Sequence, residues 1–351
     1  REWTSSSYAA YRGGKKLDDS GMVNRGGSWK LKASEFMRSH TRGVDPATSR
    51  LFFTTHTGIS DRSHLHFRGT LAHGPDRVLA EDGVSRSAVL RLADVSGLSV
   101  GDDVAVGCLI SDEFIAEHGM TGVWQAFNGT WQPFFRRAVV AIDGAVSPAR
   151  VTLDVPLRYA MKTRDAASLR VETGHLSEVG VEDLGLSNAA PWDAAWSNDR
   201  AHVLEFSGVK DAWVKNVASF ASPESPATGD GVGAHLSSGG IIVRYAKRVT
   251  VADCDLQEAE HRGGGGNGYL YEVRQSSEIL FRDCAARRGR HNFIQNWGFG
   301  VTGCVWLRCT SREGEALNEF LGITVPIVGY SEYHHSLATA NLVDSCVVDD
   351  G

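Results

Sequence analysis

The sequence predicts an all-β fold: a right-handed, single-stranded parallel β-helix with an N-terminal β-rich cap or insertion. Three observations predict it. A six-residue phrase with alternating apolar residues recurs through the second half of the chain. A second strand-like segment precedes most copies. The spacing between copies varies, which suits coils joined by unequal loops and not a helical repeat of fixed period.

The phrase reads AWVKNV at 212–217, VTVADC at 249–254, ILFRDC at 279–284, CVWLRC at 304–309 and NLVDSC at 341–346, with VGVEDL at 179–184 as an earlier member. Its last residues are separated by 33, 37, 30, 25 and 37 positions. Apolar residues alternate within it, as in Val249 and Val251 or Ile279 and Phe281, which is strand periodicity. The polar residue before the last position (Asn216, Asp253, Asp283, Arg308, Ser345) is expected in a tight bend, where Asn and Asp tolerate left-handed backbone angles. Past the bend, Cys254, Cys284, Cys309 and Cys346 are expected to point inward and stack as small hydrophobes. The preceding strands are HVLEF at 202–206, IIVRY at 241–245, YLYEV at 269–273 and NFIQN at 292–296. Each coil therefore runs strand, short turn, strand, sharp bend, short strand and return loop, the grammar of a parallel β-helix.

Over roughly residues 171–351 this grammar resembles the pectin-lyase-like superfamily of right-handed β-helix proteins. The resemblance implies a polysaccharide lyase or glycoside hydrolase. The Asp-rich signatures of its polygalacturonase branch and a pectate-lyase calcium motif are not found. The first half is also β-like. LADVSGLSVGDDVAV at 92–106, AVVAIDG at 138–144 and VTLDV at 151–155 read as strands joined by Gly turns, similar to modules inserted in polysaccharide-acting β-helices. Between them, WQAFNGTWQPFF at 124–135 is dense in aromatics. Trp124 and Trp131 are candidate platforms for sugar rings, with a hydrophobic cluster under a loop as the alternative. Residues 1–60 show no strong period and are assigned to a cap. The expected division is 1–170 for cap and insertion, continuous with the helix, and 171–351 for coils.

Composition narrows the function. With 351 residues, 42% hydrophobic and 22% charged, the chain is globular. No apolar run approaches the ~18 residues of a membrane span. A net charge of −6 excludes a global basic field for nucleic acid. The six cysteines form no CxxC pair, which argues against a zinc ribbon or a thioredoxin-type site. The expected setting is secreted, with an extracellular polysaccharide as partner and neither nucleic acid nor membrane. The coil ending CVV at 346–348 exposes a sheet edge, which a homo-oligomer or further chain covers unless the natural sequence continues.

A packed interior places function on an outer face flanked by loops. The long loops are 219–239, 257–268 and 311–322. With Leu204, Phe206, Val243, Tyr245, Tyr271 and Val273 inward, Glu205, Arg244, Glu272 and Gln295 are expected to face outward, one coil every ~4.8 Å. His261, Arg262, Arg274, Arg287, Arg288, Arg290 and His291 crowd the edges. This cluster suits a polyanionic ligand, against the alternative that the arginines pair with Glu258, Glu260, Asp283 and Glu313. His291, at a strand entry, has the range for proton exchange near neutrality. The candidate catalytic set is His291, Arg244, Glu272 and Arg290. The candidate binding set is Arg274, Arg262, His261, Glu205, Gln295, Trp124 and Trp131. His334-His335 lacks a third metal ligand. His64 and His66 have the spacing to share one strand face. Gly263–Gly266 lacks the ending of a phosphate loop and reads as a lid or a close backbone approach. No metal site is assigned; Ca2+ is a candidate ligand of Asp230, Glu258 and Glu260, without a recognisable loop.

Elimination from a uronate needs a positive group on the carboxylate and a base for the α-proton, which Arg244, Arg274, Arg290 and His291 supply. Tyr269 or Tyr271 is the candidate for protonating the leaving oxygen. Hydrolysis needs two carboxylates ~5–5.5 Å or ~6.5–9.5 Å apart; Glu205 and Glu272 share the face, but no pair stands out. A non-catalytic, adhesin-like glycan binder is the third reading. The basic bias places a lyase first.

Overall fold

The computed structural model of the chain describes residues 8–12, 15–16, 40–320, 323–334 and 336–350. The alternating phrases stack in parallel register. Val181, Val214, Val251, Phe281 and Trp306 form one inward column across successive coils. A second parallel sheet stacks Ser63–Arg68, His202–Ser207, Gly239–Arg244, Tyr269–Arg274, His291–Gln295 and Glu332–Tyr333. Its inward columns are Leu65, Leu204, Ile241, Tyr271 and Phe293, and Phe67, Phe206, Val243 and Val273. Like residues on adjacent coils meet face to face, as in Phe67–Phe206 at 4.7 Å and Tyr271–Phe293 at 4.8 Å between ring centroids. These columns form one continuous core, and the fold is a right-handed parallel β-helix, the hand that strand crossovers take.

The sharp bends carry the residues that tolerate them. Asp183, Asn216, Asp253, Asp283, Arg308 and Ser345 all sit at φ of 51–57°. Side chains at neighbouring bends also bond to one another: Asn216 Nδ2 donates to Asp183 at 2.8 Å, and Arg308 forks onto Asp283 at 2.6 and 2.7 Å. One position on, Leu184, Val217, Cys254, Cys284 and Cys309 fill the core, all thiols free, with Cys346 half-buried.

The parallel register reaches further toward the N-terminus than residue 171. Ser49–Phe53 pairs with Gly180–Ser187, and Ser63–Arg68 pairs with His202–Ser207. The chain then leaves the helix for a seven-stranded antiparallel sheet between Ala72 and Thr173, which has its own hydrophobic core. Departure and return cross at glycines. A Cβ on Gly69 would lie 2.2 Å from the Gly208 carbonyl oxygen, and one on Gly174 2.0 Å from that of Thr70. Ion pairs tie the inserted sheet to the coils: Asp103 lies 2.6 Å from both Lys210 and Lys247. Arg136 N donates to Ser277 Oγ at 3.0 Å and Gln275 Nε2 to Gln132 Oε1 at 2.8 Å. The insertion thus flanks the ends of the second sheet's strands. No helix among the described residues is long and apolar enough to cross a membrane.

Candidate functional site

The outer surface of the second sheet follows from its register. One outward column runs His66, Glu205, Ile242, Glu272, Ile294 and Glu332. Beside it run Arg68, Ser207, Arg244 and Arg274. Together with the loops before the strands they line a polar cleft of Asp61, Ser63, Arg200, His202, Glu205, Ile242, Arg244 and Arg274.

Two carboxylates form its floor. Glu205, 1% exposed, accepts from Ser63 Oγ at 2.9 Å, Arg244 Nη2 at 2.7 Å and Arg68 Nη2 at 3.2 Å. Burial raises its pKa, but the Arg244 and Arg68 charges outweigh burial and hold it below the ordinary value. Glu272, fully buried, takes His202 Nε2 at 3.0 Å, Asn296 Nδ2 at 2.7 Å and Arg274. Burial again opposes ionisation, but the His202 hydrogen bond and the Arg274 charge prevail and hold the group at about 2. Ile242 occupies the intervening coil, so the two backbones stand two rungs apart, about 9.6 Å.

Glycine positions the histidine. His202 lies over Gly239, where a Cβ would meet its ring at 2.3 Å, and that gap lets the ring reach Glu272 a coil further on. Its Nδ1 faces the Arg200 carbonyl at 3.0 Å. Arg200 pairs with Asp61 at 2.9 Å and donates to the Gly265 carbonyl at 2.7 Å, so the glycine run braces this arginine through its backbone. Four guanidiniums (Arg68, Arg200, Arg244, Arg274) face three carboxylates (Asp61, Glu205, Glu272). The glutamates are covered, while every one of these arginines keeps part of its side chain in solvent.

Of the residues singled out from the sequence, Arg244, Arg274, Glu205 and Glu272 come together here. The glutamates face outward but are buried: Arg68 and Arg244 of the adjacent coils close over Glu205, while Arg274 of its own strand, with His202 and Asn296 of other coils, closes over Glu272. The other members stand elsewhere. Gln295 points inward: it pairs with Val273, and Ile294 takes the outward place level with Glu272. Asn341 Nδ2 donates to its amide oxygen at 3.0 Å. His291 lies further along the sheet, its Nδ1 2.5 Å from the Tyr330 carbonyl and its Nε2 3.3 Å from Glu332; burial lowers its pKa to about 4. Arg290 donates to the Gly263 carbonyl at 3.2 Å. Arg262 is buried against Glu315 at 2.8 Å, and His261 stacks on Trp196 at 4.3 Å. Trp124 is a core residue of the insertion, 5.0 Å from Phe299 and 6.2 Å from Phe114, with no face left for a sugar. Trp131 carries Arg170 over its ring at 3.8 Å.

Further differences concern single side chains. Tyr245, expected inward, stands at a corner and is exposed, since the strand ends at Arg244. His64 and His66 do not share a face: His64 packs on Phe53 at 5.0 Å, whereas His66 is level with Glu205. His334 Nδ1 is 2.6 Å from Glu332, and His335 lies outside the described residues. Tyr271 is buried and donates to the Ala285 carbonyl at 3.0 Å. Arg287 and Arg288 pair with Glu313 and Glu258. Glu260 accepts from Ala190 N, and burial raises its pKa to about 8. Asp230 is exposed. No group of three or more His, Cys, Asp or Glu among the described residues is placed to hold a metal ion. Sequence reasoning missed Asp61, Ser63, Arg200 and His202. The signal for His202 was present: it opens a recognised strand, and the next coil has Gly239 at the matching position.

No family model and no curated protein matches the sequence. Solved structures that are similar include the tailspike protein gp49 from Pseudomonas phage LKA1, 14% identical with a TM-score of 0.43 over 88% of this chain and 51% of that one. The gp54 tailspike of Acinetobacter baumannii bacteriophage AP22, in complex with A. baumannii capsular saccharide, is 11% identical with a TM-score of 0.31 over 78% and 51%. The Pseudomonas phage phi297 tailspike gp61 is 13% identical with a TM-score of 0.31 over 79% and 52%. The chain spans about half the length of these tailspikes.

Proposed function

We propose that the protein binds an acidic polysaccharide along the outer face of the second sheet and cleaves it by β-elimination. The observation that carries this reading is the rim of four partly exposed guanidiniums over two buried, ionised glutamates. Glu205 fixes Arg68 and Arg244, Glu272 fixes Arg274 and Asp61 fixes Arg200, and fixed guanidiniums bind planar carboxylates with two hydrogen bonds. A uronate carboxylate over Arg244 and Arg274 has its charge neutralised, and the enolate that forms on loss of the α-proton is stabilised by donors already in place. Both nitrogens of His202 face acceptors, Glu272 and the Arg200 carbonyl, so His202 holds Glu272 in place and the α-proton passes to water at the open rim of the cleft. As the C–H bond breaks, the electron pair forms the new double bond, and the bond to the glycosidic oxygen breaks. That oxygen takes a proton from Tyr269, whose phenol burial keeps protonated by raising its pKa to about 12. Tyr269 is one coil beyond Gly239, the residue His202 overlies. Hydrolysis at this cleft is disfavoured because neither glutamate holds a proton to donate near neutrality.

The test is incubation with polygalacturonate, alginate and hyaluronan while following ultraviolet absorbance, since only elimination creates the conjugated unsaturated product. Absorbance should rise, and Arg244→Gln, which keeps a polar side chain but removes the charge over the uronate carboxylate, should cut the rate at least ~100-fold. A gain in reducing ends without absorbance establishes hydrolysis, and retention of glycan without turnover establishes a binder; either overturns elimination.

A further inference from the structure

The corner that follows each second-sheet strand is a column in its own right. Arg244 pairs with Arg274, so Tyr245 is level with Gln275; Gln295 pairs with Val273, so Trp297 is level with Gln275 on the far side. The coil before them has Gly208 at this place. All four have positive φ: 61° at Gly208, 54° at Tyr245, 40° at Gln275 and 35° at Trp297. Glycine adopts such angles without cost, and Asp and Asn bear them well. The other left-handed corners of the described coils carry Gly, Asp, Asn, Arg, Glu, Ser or Ala, and Tyr245 and Trp297 are the aromatic exceptions among the described residues. Bulky residues at positive φ are outliers, and such strain concentrates at functional sites. Both rings are also left in the open, Tyr245 37% and Trp297 46% exposed.

Their surroundings join them to the cleft. Tyr245 follows Arg244 directly, and Arg244 and Arg136 stand 6.0 and 5.9 Å from its ring, at the outer limit of a cation–π contact. Phe127 of the insertion props Trp297 at 5.2 Å. The column of arginines and the column of aromatics therefore run side by side along the helix axis.

We infer that Tyr245 and Trp297 are stacking platforms for alternate sugar rings of an acidic glycan lying parallel to the helix axis, with its carboxylates over Arg244 and Arg274. The inference rests on the glycan-binding reading above and adds the direction of the chain and the residues that read its apolar ring faces. Two rungs, about 9.6 Å, separate the platforms, so the ligand is a chain of several sugars and not a single unit.

The strain supplies the test. Tyr245→Gly and Trp297→Gly relieve the positive-φ backbone while deleting the ring, and Gln275→Gly on the rung between relieves strain without deleting one. Melting temperature, and affinity for polygalacturonate, alginate and hyaluronan oligomers, are measured by calorimetry on each chain, with quenching of Trp297 fluorescence followed beside the parent. The expected result is an affinity loss of about tenfold for each aromatic deletion and little for Gln275→Gly, whatever the melting temperature does. Unchanged affinity in both aromatic variants overturns the inference. Trp297-dependent quenching without turnover overturns elimination and supports the platforms; neither quenching nor turnover overturns both.

Discussion

Glu272 shows how a carboxylate with no solvent contact stays charged. Burial alone favours its neutral form, and His202, Arg274 and Asn296 together reverse that preference. Its carboxyl lies below its ordinary value of 4.5, at about 2 in the folded chain. A depressed folded value means that the stabilisation is complete above the unfolded value and is lost as pH falls through the folded one. Resistance to urea should therefore fall as pH drops from about 4.5 to 2, and Glu272→Gln should flatten that slope. At neutral pH the same substitution should cost roughly 3 kcal/mol, because it leaves Arg274 beside a buried amide. Equal urea midpoints for the two chains at pH 7 would refute this account. The outward direction of Glu272 was legible from strand alternation; its burial was not, because His202 and Asn296 of other coils help create it. Gln295 misled for a local reason: its strand meets the sheet one residue out of step with the segment read from the sequence.

At the scale of the element, the recurrent phrase was readable because each bend is specified by a single residue. The positions read as bends from the sequence all adopt left-handed angles. Asp253 tests this, since its nearest ionic partner, Arg282, is 3.9 Å away and contributes little. Asp253→Val should lower stability by about 1–2 kcal/mol, while Asp253→Gly should stay within about 0.5 kcal/mol, as chemical denaturation would measure. A coil before residue 171 was hidden for the opposite reason. Its strands are ordinary, but the inserted sheet separates Asp61 from its partner Arg200 by 139 positions, so no spacing in the sequence links them. Asp61 and Ser63, two of the eight residues that line the cleft, belong to that coil and were invisible with it.

For the molecule as a whole, two cores are held together by charge. Lys247, fully buried, donates to the Arg137 carbonyl at 2.7 Å and pairs with Asp103, both in the inserted sheet. Lys247→Met should cost about 3 kcal/mol, since it leaves Asp103 half-compensated by Lys210. Amide exchange should accelerate in Asp103–Leu109 and in Lys247–Ala252 together; acceleration confined to one of them would show that the two units do not open as one. The insertion also sets a timetable. The strand Ser63–Arg68 finds its parallel neighbour only once His202–Ser207 has been synthesised. At ~5–20 residues per second, a ribosome leaves that hydrophobic edge unsatisfied for roughly ten seconds, long enough for the antiparallel unit to fold first. The nascent protein should therefore acquire its guest before its host, and the proposed ligand surface should be among the last parts of this region to form.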